Sequence, residues 1–157
     1  MTFYIGVDYG IRKLALAAFP KGGRRGPSGA FSHFWPGGMS HNEILADSER
    51  VLHKLMKPEH FVGSTVVIEY PFFAKNARTA VRMGMMAGAL YTHASKMTRD
   101  IIFVPPAEWK REIVGKGNAN KDETMTWIKT NTTWSFRNDD EADSLCMAEY
   151  GKRFNNE

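Results

Sequence analysis

A run of β-branched residues that stops on a carboxylate, Val66-Val67-Ile68-Glu69, with Pro71 two positions later, constrains this chain more than any other stretch. Such a run reads as a buried strand, and the proline cannot continue its ladder. A buried strand has no packing use for a glutamate, and an unpaired buried charge is costly. Either a cation sits against Glu69 or this end of the strand opens to water. The residue alone does not choose, but two further carboxylate settings bear on it.

The first lies near the N-terminus. Phe3 to Gly10 reads as a strand that delivers Asp8 near its end, and Leu14 to Phe19 can return as its antiparallel partner. Gly6 and Gly10 allow close backbone approach and a turn. An aspartate between glycines on a central strand suits a metal site, a phosphate site or a plain turn. The second is Asn138-Asp139-Asp140-Glu141-Ala142-Asp143, where Asn138 or Asp139 can cap a helix with an acidic first turn. Asp140 and Asp143 are i and i+3 and share a face, while Asp139 points elsewhere. The apolar residues that follow, Leu145 to Ala148, should bury the rest of that helix against a sheet.

Between these settings the order is regular. Pro20 to Gly38 is dense in glycine and proline, carries Lys21, Arg24 and Arg25, and reads as a long hairpin tip with a short third strand around Phe31–Trp35. Ser40 with Glu43 signals a capped helix that ends before Pro58. His41, His53 and His60 share no metal spacing with the carboxylates and read as structural or exposed. Thr79 to Met97 is a long helix with Val81, Met85, Ala89 and Leu90 in a broad apolar face. Gly84 and Gly88 lie four apart on one side. Mid-helix glycine costs about 1 kcal/mol against alanine, so the pair predicts a close backbone neighbour, either the sheet or a second copy of the chain. Ile101–Val104 is a further strand closed by Pro105-Pro106. A short helix over Ala107–Ile113 and another over Lys121–Lys129 follow. The pattern predicts one α/β domain over residues 1–157.

Its 157 residues suffice for one real core. The net charge of +4 mildly favours a polyanionic partner. The single cysteine, Cys146, excludes an internal disulfide and any Cys-based zinc site and fits a reducing compartment. No apolar run reaches transmembrane length and no signal-peptide pattern opens the chain, so a soluble cytoplasmic protein with no membrane partner is expected.

Hard oxygen donors without a histidine or thiolate cluster suit Mg²⁺, with Mn²⁺ as a substitute, rather than zinc. Four carboxylates around one point repel one another strongly, which two cations would resolve. Two ions roughly 3.5–4 Å apart can activate a water and stabilise a phosphodiester leaving oxygen. The basic residues between Lys75 and Lys121, namely Lys75, Arg78, Lys110, Arg111, Lys116 and Lys121, could hold the phosphate backbone alongside.

Four segments in order resemble the RuvC-type Holliday-junction resolvases of the RNase H-like superfamily: Ile5–Gly10, Ile68–Asn76, Val114–Lys121 and Asp140–Leu145. Any one is weak, since Asp-x-Gly strands also occur in actin-like ATPases. The resemblance implies an RNase H-like fold, with a central mixed five-stranded sheet (an antiparallel hairpin plus parallel strands) flanked by helices. It implies that Asp8, Glu69, Asp140 and Asp143 bind two metal ions and that Lys110 and Lys121 stand beside the scissile phosphate. It places Phe72 where an aromatic stacks on bases, a core aromatic being the other reading of that residue. It matches the Gly84–Gly88 helix to a dimer-forming one, and implies symmetric nicking of four-way and other branched DNA by a homodimer. An RNA–DNA hybrid ribonuclease of the same fold and a non-catalytic junction-binding protein are the competing expectations.

Overall fold

The computed structural model describes residues 1–23, 25–71 and 76–154. Five strands form one mixed sheet in the order β3-β2-β1-β4-β5. They are β1 (Phe3–Tyr9), β2 (Lys13–Pro20), β3 (Gly29–Phe34), β4 (Thr65–Glu69) and β5 (Ile101–Val104). β1–β2–β3 is an antiparallel meander, and β1, β4 and β5 run parallel. The expected hairpin-plus-parallel sheet is therefore present, with the third strand two residues earlier than its aromatics suggested.

Period-two alternation sorts the side chains of the central strands onto two faces. Phe3, Ile5, Val7 and Tyr9 of β1, with Val66 and Ile68 of β4, enter one core. That core is closed by α1 (His41–Leu55) and α2 (Ala77–Ser95), through Ile44, Val51, Leu52, Met83, Met86, Ala87 and Leu90. α1 begins with the expected capping box of Ser40 and Glu43 and stops at Leu55, ahead of Pro58. α2 starts two residues earlier than predicted because Asn76, not a later residue, caps it through the Thr79 N–H at 2.8 Å. The expected placement of its apolar face needs correction: Val81 and Met85 are exposed, and Met83, Met86 and Leu90 are the residues that reach the core.

Across the opposite face lies α5 (Asp139–Phe154), against β1, β2 and β4. The side chains are small where the helix crosses the sheet: Gly6 on β1 pairs with Ala17 of β2, and Ala15, the partner of Asp8, lies on the same side. A Cβ on Gly6 would stand 2.1 Å from Ser144 O and 2.5 Å from Ala148 N. Only glycine lets the helix backbone rest on the strand there. Leu145, Cys146, Met147 and Ala148 fill this interface and are fully buried. Cys146 is the buried small hydrophobe expected, with burial pushing its thiol pKa up. α3 (Pro106–Trp109), a π-helical turn over Lys110–Val114 that ends at Gly115 with φ +93°, and α4 (Lys121–Asn131) complete this layer. No helix among the described residues is long and apolar enough to cross a membrane.

Candidate active site

Asp8 lies near the end of β1 and Glu69 ends β4. The two strands are parallel neighbours in register through Val7 and Ile68, so the residues that follow, Asp8 and Glu69, emerge side by side on the α5 face. Gly6 lets α5 lie against β1 at Ser144 and Ala148, and the preceding turn brings Asp140 and Asp143 close enough to act on Asp8. Asn138 caps that helix by accepting the Glu141 N–H at 2.9 Å. The four carboxylates predicted from three separate segments thus meet at one end of the sheet.

Their electrostatics report the crowding. Burial, then Glu69, Asp143 and Asp140 in turn, holds the Asp8 pKa well above the usual carboxylate range. Asp143 is pushed up to about 7, by burial first and then by Glu69. Burial also raises Glu69, against the opposing pull of its Trp109 hydrogen bond, Lys110 and Lys13. Asp8 is 6% exposed and Asp140 5%, so little water screens them.

Two protein contacts hold individual carboxylates. Trp109, wholly buried, donates its Nε1–H to Glu69 Oε2 at 2.9 Å. Lys13 Nζ donates to Asp140 Oδ1 at 2.6 Å. Each of these acids is turned toward its partner, and among the described residues no three His, Cys, Asp or Glu side chains stand as a ready-made ligand set. Asp139 pairs with Lys121 at 3.1 Å, and its charge also acts on Asp143 and Lys13. Glu141, counted from sequence only as a first-turn acid, is 1% exposed. It accepts from Ser32 of β3 and pairs with Arg137 at 3.0 Å, which ties α5 to the sheet edge.

The basic candidates divide. Lys110 borders a cleft of about 520 Å³ together with Glu69, Asp143, Pro105, Pro106, Ala107 and Gly117, and its charge acts on both acids. Lys121 does not border that cleft; it is 71% exposed and is held by its Asp139 contact. Lys116 is tied to Glu123 at 2.8 Å and Arg111 lies 3.6 Å from Glu112. Arg78 lines a different cleft, beside His41, Asn42 and Arg82. Phe72, Lys75 and Arg24 fall outside the described residues. Lys13 and Trp109 were not singled out from sequence. Each meets its carboxylate only through the fold, across 127 and 40 positions respectively.

The family model described as "Crossover junction endodeoxyribonuclease RuvC" matches residues 5–149. A curated protein of that name from Thermosipho melanesiensis is 27% identical over 92% of this chain and 92% of its own length. Another from Alkaliphilus oremlandii is 31% identical over 72% of this chain and 69% of its own length. Among solved structures, T. thermophilus RuvC in complex with Holliday junction substrate superposes with a TM-score of 0.68 at 23% identity, over 94% of this chain and 89% of that one. A further Thermus thermophilus RuvC structure gives 0.65 at 22%, over 98% and 96%. At these identities the two structures speak for the fold, which is the RNase H-like arrangement. With a family model covering all but the ends, the chain belongs to the RuvC family of crossover junction endodeoxyribonucleases.

Proposed function

We propose that this chain is a divalent-metal-dependent endonuclease that resolves Holliday junctions by nicking, with Asp8, Glu69, Asp140 and Asp143 as its metal-binding carboxylates. The observation that carries the reading is the convergence of four acids, two of them on neighbouring strand ends, in a buried cluster whose charges repel. The donor set is all oxygen and demands countercharge, which fits Mg²⁺ with Mn²⁺ as a substitute, two ions to a site. When bound, such ions supply an activated water and stabilise charge developing on the phosphodiester.

The chain's own residues prepare that chemistry. Trp109 fixes the direction of the Glu69 carboxylate, and the β1 backbone fixes Asp8. Lys110 sits at the cleft wall, where its ammonium can balance a scissile phosphate drawn beside Glu69 and Asp143. Lys121, long-stemmed and exposed, can leave Asp139 for a phosphate or leaving oxygen. Cleavage would leave 5′-phosphate and 3′-hydroxyl ends. Family membership favours a four-way junction over an RNA–DNA hybrid. A synthetic four-way junction and a hybrid, incubated in parallel with Mg²⁺, separate the two readings. Wild type is expected to nick the junction in preference. Glu69→Gln is expected to lose nicking by more than about a hundredfold, since even outer-shell changes at metal sites cost about 10–100-fold. Equal cutting by both proteins would remove Glu69 from the site.

The reading includes a homodimer formed through α2. A Cβ at Gly84 or Gly88 would meet nothing within 4 Å, so among the described residues no backbone is the close neighbour these glycines predict. Val81 (61% exposed) and Met85 (47%) continue the same surface at helical spacing. A second copy placing its own α2 there would set two sites symmetrically for two strands of a junction. Val81→Asp is expected to give a monomer by sedimentation with its fold intact. A Val81→Asp protein that sediments as wild type would move the dimer surface elsewhere.

A further inference from the structure

Lys13 is not an ordinary surface lysine. It opens β2 on the face shared by Asp8, Ala15 and Ala17, and its ammonium contacts Asp140 at 2.6 Å. Its charge also acts on Asp8, Glu69 and Asp139. The stem is held along its length: a Cβ on Gly10 would come within 2.7 Å of Lys13 Cε and 2.8 Å of Cγ, so the glycine leaves the groove in which the side chain lies. The Gly10 N–H donates to Lys13 O at 2.9 Å. Beside it, Arg12 locks the turn to the loop after β3, donating to Pro36 O at 2.7 Å and Met39 O at 2.6 Å. The other cluster lysine, Lys110, acts on Glu69 and Asp143, so the two ammoniums share Glu69 but only Lys13 contacts Asp140.

We propose that Lys13 is a tethered counter-ion that occupies a cation's place beside Asp140 in the metal-free enzyme and yields it as metal loads. This rests on the two-ion reading above. An oxygen engaged by an ammonium is not free to ligate a divalent ion at about 2.0–2.1 Å. Two cations on one carboxylate also repel each other. The flexible four-carbon stem with rotatable donors lets the ammonium withdraw to solvent without moving the strand. Lys13 is thus a positioning residue with two effects. It keeps the acidic cluster together when no metal is present, and it raises the metal concentration at which the site fills.

The test is Mn²⁺ binding to metal-stripped protein, followed by the free-ion resonance signal, for wild type, Lys13→Met, Lys13→Gln and Lys13→Arg. Lys13→Met and Lys13→Gln are expected to bind the weaker Mn²⁺ ion about tenfold more tightly, since every tenfold corresponds to ~1.4 kcal/mol of relieved competition. Lys13→Met is expected to melt below wild type in EDTA and to gain more on adding Mn²⁺. Lys13→Arg, which keeps the charge, should bind as weakly as wild type. If Lys13→Met does not fold without metal, Lys13→Gln, which can still donate to Asp140, carries the comparison. Unchanged or weaker Mn²⁺ binding in the neutral variants overturns the proposal, because a merely structural lysine would lower affinity when removed. No Mn²⁺ binding in any of the proteins overturns the metal-site reading beneath it as well.

Discussion

Asp8→Asn is expected to give a protein that nicks no junction and yet melts above wild type in EDTA at pH 8. Asp8 is buried beside three other acids, and burial and repulsion both hold its pKa high. The sign follows from proton binding. A carboxylate whose folded pKa is raised binds more protons in the native than in the unfolded chain, so its favourable contribution is present at low pH and is lost as pH rises through the folded value. For Asp143 that window runs from its ordinary 3.8 to about 7. Metal-free wild type should therefore lose stability between about pH 4 and pH 7, the reverse of a protein held by ionised salt bridges. Asparagine at position 8 removes one charge from the cluster and flattens the loss. Relief of about 1–2 kcal/mol corresponds to roughly 2–8 °C at this chain length. Melting curves at pH 5 and pH 8, with and without EDTA, read the effect. An Asp8→Asn protein that melts below wild type at pH 8 would contradict the repulsion described here. Cleavage within tenfold of wild type would contradict the role of Asp8.

Gly6→Ala is expected to damage both stability and cleavage, although Gly6 carries no ligating group. The added methyl would meet Ser144 O at 2.1 Å and Ala148 N at 2.5 Å, both backbone atoms of α5 that no rotamer change can move. Overpacking typically costs about 1–3 kcal/mol, and rigid neighbours put this site at or beyond the upper end. That corresponds to a melting point lower by roughly 6–12 °C. The helix can relieve the clash only by lifting off β1, which carries Asp140 and Asp143 away from Asp8. A variant with normal melting and normal nicking would show that α5 does not need to lie this close.

The four acids were legible because each occupies a position with a local signature: the ends of two strands and an i, i+3 pair at a helix start. Gly6 was legible as a place of close approach, though not what approaches it. Lys13 looks in sequence like the first residue of an ordinary strand, and Trp109 like a core aromatic. Their partners are chosen by sheet register and helix placement, which no local pattern encodes. Glu141 was hidden for the same reason, because Ser32 reaches it only through the pairing of β2 with β3. The exposed side of α2 was misjudged in part because Val81 and Met85 are as apolar as the residues that enter the core. Only the packing against α1 tells the two faces apart.

The acidic centre draws on both halves of the chain, and Lys13 and Asp140 are 127 positions apart. A polypeptide still emerging from the ribosome therefore holds only the strand-borne acids until α5 docks. The cluster is complete only once α5 lies on β1. A copy arrested before Asp140 would lack two of the four acids assigned to the site.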